Sequence, residues 1–301
     1  MSAIESGVIL LGLGLDGPRG RGFLEAFLSD RVLFRRLPLV GRLAVRRLLA
    51  RSAWETAPRG PSLAAALESH LGNRWRARFA AAADPSAWPS AVEGVGSCRR
   101  LWAVPLFPFR SDPRSRWWSR ELRREDLARS APRLLSGWSE HPAFAAAWHD
   151  VLRSALDAVP ADRRAAVPLL FRAGCFGAER ETGNLLAEVR AATRAVLCRL
   201  PAPHSHQLGW EGWLEPPAAE LPRWERALEL ARESAAGPPL VASLQWRGDG
   251  PDGEDGAGSA VPAGRGLTLG SRLPEVLAAV VRNATSPEEA SPAKGRLNVR
   301  S

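Results

Sequence analysis

His204 and His206 stand two residues apart in the stretch Pro203-His204-Ser205-His206. On an extended strand that spacing puts both imidazoles on one face, an arrangement that metal sites use. No third ligand is apparent, so a half-exposed histidine pair where a strand meets a loop is the competing reading. His70, His141 and His149 have no partner identifiable from sequence. Cys98, Cys175 and Cys198 are odd in number and none lies in C-x-x-C spacing, which argues against a disulfide framework or an iron–sulfur cluster and for buried free thiols. Gly12-Leu13-Gly14-Leu15-Asp16-Gly17 matches GxGxxG after an apolar run, a pattern that lets backbone approach a dinucleotide pyrophosphate. Such a unit continues into a second strand ending in an acidic residue about 20 positions on. Here Phe23 to Ser29 has helical character and Asp30 follows it, so a chance match is the stronger reading.

The elements that would position these residues alternate. Gly7 to Gly12 is an apolar run bounded by glycines, as expected of a strand buried on both faces, and similar runs return at Leu101–Leu106, Val167–Phe171 and Pro239–Leu244. Between them lie helical spacings: Leu63, Leu67 and Leu71; Phe144, Trp148, Val151, Leu152 and Leu156; Leu185, Leu186, Val189, Val196 and Leu197; and Leu221, Trp224, Leu228 and Leu230. Strands alternating with helices predict an α/β fold of parallel sheets flanked by helices. The pattern restarts near Val167, which predicts two similar domains, 1–160 and 161–285, with a boundary near Pro160-Ala161-Asp162. Gly248 to Gly266 reads as a loop, and 286–301 as a polar, disordered tail.

Several short motifs, in order along the chain, resemble the ferrochelatase family. Leu10-Leu11-Gly12-Leu13-Gly14 resembles that family's first strand and turn, and Phe27-Leu28-Ser29-Asp30 followed by Pro38 its next helix end. Gly60-Pro61-Ser62-Leu63 resembles its Gly-Ser-Pro-Leu helix start with two residues exchanged, and Ala77-Arg78-Phe79 its Met-Arg-Tyr. Pro105-Leu106-Phe107-Pro108-Phe109-Arg110-Ser111 resembles its Pro-Leu-Tyr-Pro-Gln-Tyr-Ser, and Gly209 with Trp213-Leu214-Glu215-Pro216 its Gly-xxx-Trp-Leu-x-Pro. The resemblance implies two Rossmann-like domains with a porphyrin cleft between them, lined by Leu13, Arg78, Phe107, Arg110 and Ser111. It implies protoporphyrin IX or coproporphyrin III as the tetrapyrrole, ferrous iron as substrate, and no permanently bound cofactor.

In that family a histidine follows the strand at Leu169–Phe171, where a neutral imidazole suits a step that removes pyrrole protons as iron enters. The aligned residue here is Gly174, which has no side chain; a shift of one brings in Cys175, whose thiolate binds soft or borderline metals, although a structural cysteine is the ordinary reading. No residue aligns with the family's downstream glutamate. Glu254 and Asp255 are the nearest carboxylates, in a stretch that reads as a solvated loop. Phe107 keeps an aromatic surface for a macrocycle and Arg110 a guanidinium fork for a propionate, against the alternatives of a core phenylalanine and a solvated arginine.

Three functions follow as expectations: a ferrochelatase or related chelatase working with a substituted proton acceptor or through geometry alone, a silent porphyrin- or haem-binding carrier, sensor or partner of a true ferrochelatase, and an NAD-type oxidoreductase resting on the glycine motif alone. Composition bears on partners. The net charge is +9, but Lys294 is the only lysine, tyrosine is absent, and the arginines are spread over helical faces. That is the pattern of solvated faces and GC-rich codon usage rather than of a nucleic-acid patch. No apolar run approaches the ~20 residues of a membrane span, and no basic leader precedes Ile4, so a cytoplasmic protein is expected. Trp117 and Trp118 amid Arg114, Arg116 and Arg120 offer a peripheral membrane contact, with ordinary packing as the alternative.

Overall fold

A computed structural model of the chain describes residues 4–12, 59–82, 84, 86–123, 131–174, 179–201, 203–211, 221–233, 238–244 and 265–285. Leu13, the rest of the GxGxxG match, the Phe27–Pro38 motif, Cys175, Trp213–Pro216, Glu254, Asp255 and the segment 286–301 lie outside these residues.

The fold is α/β, with two parallel sheets flanked by helices. Strands β1 (Ser6–Gly12), β2 (Trp75–Ala81), β3 (Arg100–Pro105) and β4 (Arg133–Leu134) form a four-stranded sheet in the order β2-β1-β3-β4. Strands β5 (Leu169–Gly174), β6 (His206–Glu211), β7 (Leu240–Ser243) and β8 (Arg265–Leu267) form a second in the order β6-β5-β7-β8. Every pairing among the described strands is parallel. The two halves therefore repeat one topology.

Helices α1 (Arg59–Leu71), α2 (Ala87–Val95), α3 (Pro113–Glu121), α4 (Pro142–Asp157), α5 (Glu179–Leu197), α6 (Trp224–Glu233) and α7 (Leu273–Thr285) cover both faces. Alternation along β1 explains the layering. Val8 and Leu10 point to a large core shared with α1, while Ile9 and Leu11 point to a second core with Trp88 and Val95 of α2 and Trp118 of α3. All four are fully buried, so the strand reads as an unbroken apolar run. In β5, Leu169, Phe171 and Ala173 join the large core, and Leu170 packs with Trp224, Ala227 and Leu228 of α6.

The large core is continuous between the two sheets, because it holds residues of β1, β5 and the helices α4, α5 and α7. The sheets change over between Leu134 and Leu169, across the expected boundary. Helix α4 lies before that boundary yet packs against α5, α7 and β7, and α7 returns to pack on α1. An Arg282 guanidinium on α7 donates to the carbonyl of His70 at the end of α1. Among the described residues, no helix is long and apolar enough to cross a membrane.

The outer edge of β2 is closed by side chains. Glu68 of α1 accepts from the backbone N–H of Ala77 at 2.9 Å, from Arg76 at 3.0 Å and from Arg78 at 3.1 Å. One carboxylate thus occupies a donor that an unpaired strand would otherwise present to another chain.

Candidate functional site

In a doubly wound sheet, ligands gather outside the carboxyl ends of the strands where strand order reverses. In the first sheet that point lies between β1 and β3, and in the second between β5 and β7. The β3 strand runs out into Leu106–Asp112, the segment that holds three of the residues implied by the resemblance.

This segment is held by backbone and side chains together. Leu106 N–H donates to Leu11 at 2.9 Å, Trp138 Nε1 to the Pro105 carbonyl at 2.8 Å, and Ser139 N–H to Pro108 at 3.0 Å. Phe107 is fully buried in the core beside α2 and α3, with the Arg114 guanidinium 4.1 Å from its ring centre. Its ring sits as a core phenylalanine sits, with no face open to a macrocycle. Arg110 is the opposite case: its side chain is 64% exposed and meets Glu140 at 3.4 Å. Asp112 caps α3, accepting from Arg114 N–H at 2.9 Å, while the Arg114 guanidinium grips the same carboxylate at 2.9 and 2.8 Å.

Ser111 connects the halves. Its N–H donates to both carboxylate oxygens of Glu188 on α5, at 3.1 and 3.2 Å, and its hydroxyl donates to Oε1 at 2.6 Å. Sequence reasoning passed over Glu188. The one available signal was an acid at the margin of the apolar stripe made by Leu185 and Val189.

Gly174 is the last residue of β5 and lies opposite Glu211, the last residue of β6. The position where the resemblance places a histidine is thus at a strand's carboxyl end. Two residues earlier, Arg172 is buried, with its guanidinium 4.7 Å from the Trp224 ring centre. It too was without a role in the sequence reading.

Arg78 is placed elsewhere. It lies on β2, reaches the Ala77 carbonyl at 2.7 Å and shares Glu68 with Arg76, so it belongs to the β2 edge and not to the carboxyl ends of β1 and β3. Its neighbour Phe79 lies across the end of β1, where a Cβ on Gly12 would stand 2.7 Å from the ring. Gly12 is therefore needed for this close approach, a use of the first glycine of the GxGxxG match that involves no nucleotide.

No protein-family model matches the chain, and no curated protein matches it.

The remaining candidates are dispersed. Strand β6 begins at His206 and His204 precedes it, so the two histidines do not share a strand face; His206 Nδ1 lies 3.3 Å from the His204 carbonyl. Both are at the amino end of β6, away from the switch points. Among the described residues, no group of three or more His, Cys, Asp and Glu is arranged to hold a metal ion. Cys98 is half-buried, and burial pushes its thiol above the ordinary value, against backbone hydrogen bonds from Gly7 and Arg100 that pull it down. Cys198 is exposed. Trp118 is buried in the core beside α2, and Trp117, partly buried, packs edge-on against it with centroids 4.8 Å apart.

Proposed function

We propose that this chain is a ferrochelatase-like tetrapyrrole-binding protein, with two Rossmann-like halves that receive protoporphyrin IX or coproporphyrin III at the carboxyl ends of their strands. The observation that carries this reading is the repeated strand order. With that order, the segment ending at Ser111, which resembles a family motif, and Gly174, which stands where the family has its histidine, lie at the carboxyl ends of β3 and β5. Ligand sites of doubly wound sheets form at such ends.

Arg110 is suited to a propionate. An exposed ion pair such as Arg110–Glu140 contributes only about 0–1 kcal/mol, so a ligand carboxylate can replace Glu140 at little cost and take the guanidinium fork bidentately. Phe107 supplies no such contact, since its ring is covered.

Inserting ferrous iron, as substrate, requires an acceptor for the two pyrrole protons. Gly174 has no side chain to serve. The reading that fits is therefore binding without efficient conversion, as in a carrier or a regulatory partner of an active ferrochelatase. The test is anaerobic absorbance of protoporphyrin IX with the protein and ferrous iron, against a protein-free control. A spectrum shifted by binding and left unmetallated is expected. Metalloporphyrin bands above the control rate would make the protein a chelatase with another base, and an unshifted spectrum would remove the tetrapyrrole reading.

A further inference from the structure

We propose that Glu188 is a latch: it fills a carboxylate-binding donor pair on Ser111, and a carboxylate of the incoming ligand displaces it. This rests on the tetrapyrrole reading and adds to it a built-in competitor for the ligand's acidic arm.

Ser111 turns both of its donors, the backbone N–H and the hydroxyl, onto one carboxylate. Donors converging in this way form a site for the carboxylate group itself, whichever molecule carries it. The carboxylate now present comes from the other half of the chain, 77 residues away. Ser111 is 8% exposed, whereas Glu188 is half-buried, so the donors are sheltered and their occupant is the part that solvent reaches. Arg110, the preceding residue in the chain, has an exposed guanidinium paired with the surface carboxylate of Glu140. A carboxylate arriving at Arg110 has the Ser111 donors as its adjacent partners in the chain. Withdrawal of Glu188 also releases a direct tie between the β3 segment and α5, so ligand entry and loosening of the two halves are one event.

The test uses the full chain and titrates protoporphyrin IX and its dimethyl ester, followed by quenching of tryptophan fluorescence. In Glu188→Ala the free acid binds about tenfold tighter than in the native chain, the order of one charge-assisted hydrogen bond. The ester, which has no anionic oxygen, binds equally to both proteins. Glu188→Asp keeps the charge and withdraws it by one methylene. It shows a similar gain, which separates release of the donors from general relief of negative charge, and it carries the test if the alanine variant does not fold. Adding Ser111→Ala to Glu188→Ala removes most of the gain. An unchanged affinity for the free acid in both Glu188 variants, or an equal gain for the ester, overturns the latch and leaves tetrapyrrole binding standing. Failure of every protein to bind either compound removes the tetrapyrrole reading and the latch together.

Discussion

Gly174 and Glu211 face each other across the β5–β6 pair, each the last residue of its strand. If the carboxyl end of the second sheet is where a porphyrin sits, an imbalance is built into that end. The ferrochelatases, on the proposed resemblance, have a proton-accepting side chain there, and this chain has hydrogen. Gly174→His puts an imidazole, a suitable proton acceptor, at that strand end. General base catalysis by a placed side chain contributes roughly 10²–10⁴-fold, so iron insertion should rise by about 10²-fold, read as metalloporphyrin absorbance under anaerobic conditions. A rate equal to the native chain's would mean that position 174 does not adjoin the pyrrole nitrogens.

Gly209 makes a second, independent prediction, one concerned with packing. A Cβ there would stand 2.8 Å from Trp224 Cε3 and 2.9 Å from the Ala227 Cβ, so α6 can lie on β6 only over a glycine. Overpacking of this kind costs about 1–3 kcal/mol. Gly209→Ala should therefore lower the thermal midpoint by several degrees, and the same shift of α6 should disturb the Arg172–Trp224 contact and the tryptophan emission with it. An unchanged melting curve would mean that α6 relaxes freely.

Those two glycines show where sequence reading works and where it stops. The central strands β1, β3, β5 and β7 were legible because burial on both faces writes an unbroken apolar run, as at Val8–Leu11. β2 was not: its Trp-Arg-Ala-Arg-Phe alternation reflects an edge whose arginines turn out to Glu68. The strands β4 and β8 span only two and three residues, too few for any period to register. At the site, the Leu106–Ser111 segment was legible only through resemblance. Phe107 is buried in a cluster with residues of β1, α2 and α3, and the role of Glu188 depends on Ser111, 77 residues away in the other half, and neither environment can be read from the neighbouring sequence.

Glu68 is expected to matter for solubility as much as for stability. Its two arginine pairs are partly exposed and individually weak. The backbone N–H of Ala77 is different, because that residue is 1% exposed and its donor would lose its partner. A buried donor left unmet costs about 1–3 kcal/mol. Glu68→Ala should therefore destabilise by about 1–2 kcal/mol in urea unfolding and raise the tendency to associate through the opened edge, seen by light scattering at fixed concentration. Glu68→Gln retains an acceptor for Ala77 and should recover most of the stability, although it loses both ion pairs. If the two variants were equally destabilised, the ion pairs and not the edge donor would be the larger contribution.

Cys98 gives a pH dependence whose sign can be worked out. Burial disfavours its thiolate, so its pKa in the folded chain lies above that of the unfolded chain. Below the unfolded value, about 8.5, both states carry the proton and the thiol has no effect on stability relative to neutral pH. As pH rises past that point, the unfolded chain loses its proton first, so stability falls until the folded thiol ionises as well. Replacing Cys98 by Ser, which does not titrate in this range, should flatten that part of the alkaline stability profile measured by urea unfolding. The same burial orders reactivity. With iodoacetamide at pH 8, exposed Cys198 should be alkylated well before Cys98, as followed by peptide mass spectrometry of partly modified protein. Equal rates would show that burial does not protect the Cys98 thiol in solution.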